Sequence, residues 1–252
     1  MAKYLRRPRK PASQTWRTFL TNHMEQMASI DFFLVTKATF RLLFVFVVLS
    51  HARHRVLHFQ VTEHPGQEWT MQQMREAFPW DHGCRYLLRD RDAIYGGDWV
   101  AMTKGMGMEE VTTAPRSPWQ NPYVERLIGS IRRECLDHVI VWNERSLHRT
   151  LRSYFAYYHD SRTHLALAKD APESRAVEKP ERGRIVVIPQ VAGLHHRYYT
   201  NVTPLSISRS SETIASVRLM NQSNFVASQA RFFSALPALR SRTPCIAATP
   251  VP

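Results

Sequence analysis

The sequence lacks three features that would assign it to common classes of protein. Its three cysteines, Cys84, Cys135 and Cys245, are isolated, with no Cys-x-x-Cys pair. That fits a reducing compartment better than a disulfide scaffold or a zinc finger. The first 25 or so residues contain no continuous apolar run of the secretory-signal kind. The most apolar stretch, residues 42–49, is too short to span a bilayer, which takes about 20 helical residues. We therefore expect a soluble, cytoplasmic protein in which residues 42–49 form a buried strand.

Acidic residues are also scarce relative to basic ones. The 252 residues include 34 Lys and Arg against 21 Asp and Glu, a formal net charge of +13. Such a balance favours a nucleic acid or an acidic membrane surface as partner, with a merely basic soluble protein as the plain alternative. An apolar fraction of 44% and six Trp are ample for a packed core. The length suits one substantial domain with extensions, or two small ones.

Hydrophobic patterning predicts a mixed α/β domain. Three β-type segments, residues 30–35, 41–49 and 55–62, are joined by short turns, which indicates an antiparallel meander. The other predicted elements are helices at 68–78, 97–104, from about 120 and at 146–159, and short strands at 86–88, 111–113 and 184–188. Three antiparallel strands followed by alternating helices and short strands describe a mixed sheet flanked by helices.

Composition divides the chain into four parts. Residues 1–27 form a basic N-terminal arm, and residues 28–172 form the predicted α/β domain. Residues 173–199 are a basic extension, with a basic and aromatic run over 194–199. Residues 200–252 are rich in Ser, Thr, Ala and Pro, with one acid and no Lys. We expect this last part to be poorly ordered, because it has few periodic apolar patterns to bury.

Three carboxylates stand at the ends or centres of apolar elements. Asp31 lies within the first predicted strand, Asp90 follows the strand at 86–88, and Glu125 lies on the helix after a proline-rich loop. If they meet at one edge of the sheet, their oxygens suit Mg²⁺ or Mn²⁺. Two such ions can promote an in-line phosphoryl displacement. The competing interpretation is a set of ordinary ion pairs, such as Asp90 with Arg126.

The same helix carries residues suited to a phosphate backbone. Gly129, Arg132 and Arg133 follow Glu125 by about one and two turns on one face. The glycine permits close approach of another backbone, and the arginine pair can meet phosphates.

Several of these motifs resemble integrase-core transposases of bacterial insertion sequences, which are relatives of retroviral integrases. Residues 113–126 and 130–135 resemble the region of that family's third carboxylate, residues 88–96 its second aspartate motif, and residues 30–33 its first. Tyr154 to Tyr158, with Arg162, His164 and Leu165, resembles its downstream Tyr/Arg/His signature. The resemblance spans residues 29–172.

The resemblance implies an RNase H-like fold, dependence on Mg²⁺ or Mn²⁺ with two ions, and cleavage and strand transfer of DNA. It implies Asp31, Asp90 and Glu125 as catalytic metal ligands. It also implies DNA contacts by Asn121 and Arg132, and we expect Arg126 and Arg133 of the same helix to contact DNA as well. The implied partners are element ends, target DNA and further copies of the chain, at the nucleoid and not at a membrane.

Asp92 departs from the family pattern, which often has Gly at this position. It is the main rival of Asp90 as a ligand, or it faces solvent. His51, His54 and His58 match no common zinc spacing, so we expect exposed basic side chains. His195 and His196 have no nearby Cys or acid in the sequence.

Two clusters on the predicted helix at 146–159 have equally open interpretations. Its aromatic residues could stack on bases, although an aromatic cluster at helical spacing is more often part of a core. Arg145, Arg149 and Arg152 could contact phosphates or simply be solvated.

Two functions compete. One is an active DNA transposase; the other is a truncated, catalytically impaired remnant that binds DNA or modulates a full-length transposase. The few residues ahead of Ser29 offer no recognition domain, which favours the remnant, whereas the complete carboxylate set favours the enzyme. A ribonuclease acting on RNA–DNA hybrids would share the fold and the metals.

Overall fold

The computed structural model describes residues 14–79, 84–177 and 183–201. Its strands are β1 (Met27–Thr36), β2 (Leu42–Ser50), β3 (Arg55–Thr62), β4 (Tyr86–Arg89), β5 (Glu109–Thr112), β6 (Arg184–Gln190) and β7 (His195–Asn201). Its helices are α1 (Trp16–His23), α2 (Gln67–Ala77), α3 (Gly97–Gly105), α4 (Pro122–Glu134) and α5 (Glu144–Asp160). None of the helices in these ranges is both long and apolar enough to cross a membrane.

The main sheet has the order β3-β2-β1-β4-β5. Strands β1, β2 and β3 pair antiparallel, as the short turns between them require. Strands β4 and β5 run parallel to β1, so the chain crosses over through α2 and then α3. A meander of three antiparallel strands continued by two parallel strands is the predicted RNase H-like mixed sheet, which the structure confirms.

Helices cover both faces of this sheet. One face packs against α4 and α5 around Val45, Val47, Ile131 and Leu151. The other packs against α2 and α3 around Ile30, Phe46 and Trp99. Because β2 is covered on both sides, its residues 45–49 are buried without alternation, which explains the continuous apolar run in the sequence.

The predicted elements differ from the observed ones mainly at their ends. The strand predicted at 111–113 is Glu109–Thr112, and the helix predicted from about residue 120 begins at Pro122. A 3₁₀ turn, Pro118–Gln120, occupies the end of the proline-rich loop. Proline is tolerated at a first helical position, where its missing N–H costs no intrahelical bond.

Helix α1 was not among the predicted elements. It begins with Thr15, whose side chain caps the helix by accepting a hydrogen bond from Thr18 N. Leu20 is buried against Tyr86 and Leu88 of β4, and the ring of Phe19 packs edge-on against Tyr86. The second half of the predicted N-terminal arm therefore packs against the sheet domain, whereas the basic residues 1–10 lie outside the described residues.

The basic extension contains the hairpin of β6 and β7. Val191, between the two strands, is buried in the same cluster as α5, and His195 stacks on Tyr157 with ring centroids 4.3 Å apart. The low-order tail predicted for residues 200–252 lies outside the described residues, apart from the last two residues of β7.

Candidate active site

Strand pairing brings Asp31 and Asp90 to the same level of the sheet. The last pair between the parallel strands β1 and β4 joins Ser29 to Leu88, and each aspartate lies two residues further along its own segment. Asp31 is half-buried within β1, and its Oδ1 accepts a hydrogen bond from Phe32 N at 2.7 Å. Asp90 is exposed just beyond the end of β4.

A buried ion pair fixes the backbone at Asp90. Arg89 is 8% exposed, and its Nε donates to Glu110 Oε2 of β5 at 2.8 Å. Arg89 Nη1 also donates to the carbonyl of Asp90 at 2.9 Å, while Glu110 Oε1 accepts from the Thr103 hydroxyl at 2.6 Å. The arginine thus ties the residue that carries the candidate ligand to the neighbouring strand and to α3.

Glu125 lies exposed on the first turn of α4, and three contacts hold the chain that leads into this turn. Asn121 Nδ2 donates to the carbonyl of Ile30 at 3.4 Å, next to Asp31. The Trp16 indole N–H donates to the carbonyl of Gln120 at 3.1 Å. Ala114 N donates to Gln120 Oε1 at 2.6 Å, which closes the proline-rich loop. Helix α4 therefore starts over the centre of β1.

The electrostatics show that these acids lie close enough to repel one another. The pKa of Asp31 is raised to about 7, first by burial and then by the carboxylate of Glu125, with smaller contributions from Asp90 and Asp92. Burial also raises the pKa of Asp90. None of the ion pairs among the described residues includes any of these four acids. The alternative Asp90–Arg126 pair is therefore not formed.

The donor set fits a divalent cation in kind. Its members are hard oxygen ligands with uncompensated negative charge, which is the environment that Mg²⁺ and Mn²⁺ select. As they stand, however, the described residues include no group of three acid, His or Cys side chains that could hold a metal ion. The acids lie at one edge of the main sheet and repel one another, but their side chains do not form a complete coordination sphere.

The four residues predicted to contact DNA fall in different environments. Arg126 and Arg133 are exposed on α4. Arg132 is also exposed, but its Nη2 donates to the carbonyl of Leu34 at 3.1 Å. Asn121 is only 4% exposed, and its Oδ1 has no hydrogen-bond partner among the described residues. Its burial favours a role in positioning α4 against β1.

Asp92 is exposed beside Asp90. Its backbone N–H donates to Asp90 Oδ1 at 3.2 Å, and its own Oδ1 accepts from Ile94 N at 3.1 Å. Asp92 thus shapes the turn that carries Asp90 and adds to the negative field.

The expectation of exposed histidines at 51, 54 and 58 was wrong for His51. Its side chain is fully buried, hydrogen-bonded to the Ser29 hydroxyl and packed against the ring of Tyr123 at 4.6 Å. Burial, then repulsion from His54, lowers the pKa of His51 to about 3, so the imidazole is neutral. The ring that packs on His51 belongs to Tyr123, which is distant in the sequence. The residues near His51 therefore could not indicate that its side chain is buried.

The other two histidines are partly buried. His58 bonds Gln73 Oε1 at 2.9 Å, and His54 lies half-buried against Tyr123.

A second polar network at the end of α4 was also missed. Arg162 donates from Nε to Glu134 Oε2 at 2.7 Å and from Nη2 to Glu134 Oε1 at 2.6 Å. The Tyr154 hydroxyl donates to Glu134 Oε2 at 2.9 Å, and His195 contacts the Glu134 carbonyl at 2.8 Å. The aromatic cluster on α5 is core, because Tyr154, Phe155 and Tyr158 are buried. The partner of His195 that the sequence did not reveal is thus a backbone carbonyl of α4.

Comparison with known proteins identifies a domain model that part of the chain resembles. The strand order defines an RNase H-like domain. Residues 106–172 match the family model described as integrase core domain. This segment includes Glu125, the proline-rich loop and Arg162, and the match confirms the resemblance to integrase cores that the motifs indicated. No curated protein matches the chain.

Solved structures with a related fold are distant in sequence. The simian T-cell lymphotropic virus intasome in complex with PP2A regulatory subunit B56 gamma has a TM-score of 0.49 and 12% identity, over 70% of this chain and 67% of that chain. The HTLV-2 integrase catalytic core in complex with magnesium gives 0.45 and 9%, over 60% and 94%. The catalytic domain of Mos1 mariner transposase gives 0.48 and 14%, over 56% and 77%. All three TM-scores are below one half, so the fold is assigned from this chain's own strand order.

Proposed function

We propose that the chain is a polynucleotidyl transferase that cleaves DNA and joins it to a target, as in transposition or integration. The observation that carries this proposal is the set of unpaired carboxylates, Asp31, Asp90 and Glu125, gathered where β1, β4 and α4 meet. In a chain of net charge +13, an acidic site without counter-charge is suited to a cation bound together with an anionic substrate.

The three carboxylates would hold Mg²⁺ or Mn²⁺, two ions in the full site. Bound divalent ions would activate the attacking oxygen and stabilise the leaving oxygen of an in-line phosphodiester displacement. Asp31 would be the inner ligand, because it is half-buried and held by β1. Asp90 and Glu125 are exposed and adjoin solvent, where a DNA strand would lie. Asp92 remains the alternative to Asp90.

The arginines of α4 would hold the DNA backbone beside these acids. Arg126 and Arg133 are exposed, and Arg132 keeps further N–H groups for phosphates while one bonds the Leu34 carbonyl. Asn121 would act by holding the start of α4 against Ile30 and not by touching DNA. We further propose that the protein acts as a homo-oligomer at the nucleoid, since joining two element ends takes one site at each end.

A strand-transfer assay tests the proposal. The full chain is incubated with labelled duplexes taken from the flanking DNA of its coding sequence, a supercoiled target plasmid, and Mg²⁺, Mn²⁺ or EDTA. We expect metal-dependent joined product that falls at least about 10³-fold in Asp90→Asn and in Glu125→Gln. Asp137→Asn, an exposed acid beyond α4, is the matched control and should keep wild-type activity.

Other outcomes separate the competing functions. Product that persists in Asp90→Asn but disappears in Asp92→Asn would move the ligand assignment to Asp92. DNA binding without joining in either metal would favour the non-catalytic remnant. Cleavage of an RNA–DNA hybrid, with no joining of DNA, would favour a ribonuclease.

A further inference from the structure

His54 and Tyr123 form a stacked pair on the α4 side of the sheet, and two further side chains that can donate to an anion, His164 and Arg126, lie near His54. His54, from the turn between β2 and β3, stacks on the Tyr123 ring with centroids 5.2 Å apart and planes 28° apart. His164, from the segment after α5, has its ring centroid 6.1 Å from that of His54. Arg126 follows Tyr123 by three residues in α4, so the two side chains are neighbours on the surface of the helix. Arg126 also contributes to lowering the pKa of both histidines. We call His54, Tyr123, Arg126 and His164 the Tyr123 cluster.

The two histidines are held in place by their surroundings. His54 stacks on Tyr123 and has a left-handed backbone with φ of 56°, which is uncommon for a non-glycine residue although His adopts it more often than most. The ring of His164 packs edge-on against Tyr158 at 4.8 Å, and Arg162 Nη1 lies 3.3 Å from its Nδ1. His164 N also donates to the Asp170 carbonyl at 2.9 Å. The cluster is thus assembled by three separate segments of the chain.

Two carboxylates on the His164 side of the cluster are committed elsewhere. Glu134 is paired with Arg162, and Asp170 with Arg53 at 2.8 Å. None of the ion pairs among the described residues includes Arg126. Arg126 is exposed, while His54, Tyr123 and His164 are each partly exposed. An accessible arginine and two imidazoles without a counter-ion form a suitable receptor for an oxyanion.

We propose that the Tyr123 cluster binds one phosphate of the DNA backbone, with Arg126 supplying the charge and His54 and His164 each supplying an N–H donor. The inference rests on the proposed function and deepens it, because it adds a DNA contact from outside α4. A phosphate bound here would be anchored one helical position from Glu125, on the side of α4 that faces the β2–β3 turn.

The histidines act as neutral donors near pH 7. Burial first, then Arg126, lowers the pKa of His54. The pKa of His164 is lowered to about 4 by burial, then by Arg162, His54 and Arg126, with Glu134 opposing. A neutral imidazole still carries one N–H. The positive charge offered to the phosphate is therefore that of Arg126. Removing Arg126 should change the salt dependence of DNA binding, whereas removing either histidine should not.

The test measures DNA binding by fluorescence anisotropy, with the full chain, a fluorescein-labelled duplex and EDTA. The NaCl concentration is varied from about 50 to about 300 mM, a range in which phosphate contacts are sensitive to salt. Arg126→Gln should weaken binding several-fold and reduce the slope of log K against log salt by about one. His54→Gln and His164→Phe should weaken binding about two- to five-fold with the slope unchanged. Arg75→Gln, an exposed arginine of α2 on the opposite face of the sheet, should bind as wild type.

Unchanged affinity and slope in Arg126→Gln and in His54→Gln, with wild-type unfolding midpoints, would overturn the proposal. If inorganic phosphate shifts the histidine ring signals in NMR while these variants bind DNA normally, the site serves free phosphate and the DNA assignment is wrong. Because no metal or turnover is needed, failed strand transfer in the wild type would refute the proposed function alone.

Discussion

The two ends of helix α4 carry glutamates in opposite circumstances. Glu125, in the first turn, faces other carboxylates and has no ion-pair partner among the described residues. Glu134, at the last position, accepts two hydrogen bonds from Arg162 and one from Tyr154. Burial acts to raise the pKa of Glu134, but its hydrogen bonds with Arg162 and Tyr154 outweigh burial and lower it. By contrast, burial and then the carboxylate of Glu125 raise the pKa of Asp31.

The difference between Glu134 and Glu125 distinguishes a carboxylate that stabilises the fold from one that is available to bind a ligand. A carboxylate whose oxygens are all bonded to the protein contributes to the fold and has nothing left to bind. A carboxylate left among other acids costs stability, and the fold tolerates such a cost where a cation and substrate complete the site.

The largest expected effect is at the paired end. Arg162→Met should lower the free energy of unfolding by about 3 kcal/mol, because Glu134 keeps its half-buried charge and loses its partner. Urea unfolding at pH 7.5 measures this effect. The matched control is Arg55→Met, since the Arg55–Glu173 pair has exposed side chains and should cost less than about 1 kcal/mol.

A second substitution sharpens that prediction. Adding Glu134→Leu to Arg162→Met should recover part of the loss, because the unpaired charge is then removed. Equal stabilities for Arg162→Met and wild type would mean that the network contributes nothing to the fold.

The next effect concerns His51, which is buried and neutral beside both the sheet and α4. Its folded pKa of about 3 lies below the ordinary 6.5, so the unfolded chain binds a proton more readily. Its contribution to stability is complete above pH 6.5 and is lost as pH falls, by about 1.4 kcal/mol per pH unit between roughly 6 and 4. Unfolding curves of wild type and His51→Gln should therefore converge as pH falls, and parallel curves would contradict the assignment.

At the end of α4 that carries Glu125, we expect a substitution to increase stability. Asp31→Asn keeps an oxygen for Phe32 N–H and removes the charge that Glu125, Asp90 and Asp92 repel, so it should raise the stability of the metal-free protein by about 1–2 kcal/mol at pH 8. Thermal unfolding in EDTA measures the change, with Asp137→Asn as the control. A loss of stability on this substitution would mean that the acids are not crowded.

The smallest effect tests the middle of α4. A Cβ on Gly129 would meet only the side chain of Arg133, at 3.1 Å from Nη1, and that side chain is free to move. Gly129→Ala should thus stabilise the helix by about 0.5–1 kcal/mol in urea unfolding. If the glycine also allows close approach of DNA, the same variant should bind duplex DNA more weakly. Stabilisation with unchanged binding would assign no DNA contact to this position.

Local patterns in the sequence were enough to predict the sheet and to select the candidate acids. The apolar run of β2, the short turns beside it and the amphipathic α4 each leave a signal within a few residues. Asp31 stood out because a charge inside an apolar strand is costly, and Asp90 and Glu125 stood out through the family motifs; their role as metal ligands stays a prediction. Helix α1 was missed because its buried side, chiefly Leu20, is narrow and depends on Tyr86.

The errors share one physical cause, which is contact between distant segments. Nothing near His51 signals that Tyr123 will cover it, and nothing near Asn121 signals that the Ile30 carbonyl will bind it. The partners of Arg89 and Arg162, Glu110 and Glu134, likewise come from other elements. The DNA contact that the family motif suggested for Asn121 stays a prediction, and the burial of this side chain favours the positioning role proposed above.

The parallel pairing of β1 with β4 has a kinetic consequence. The meander of β1, β2 and β3 closes only short loops, but Met27–Ser29 meets Tyr86–Leu88 across the whole of that meander and α2. Such non-local pairing is slow, because the loop entropy is lost before the contacts form. Asp31 and Asp90 come together only at that step, and Glu125 arrives later still in the chain. The candidate acids of the proposed site therefore come together only late in folding, and a partly folded copy would lack that site.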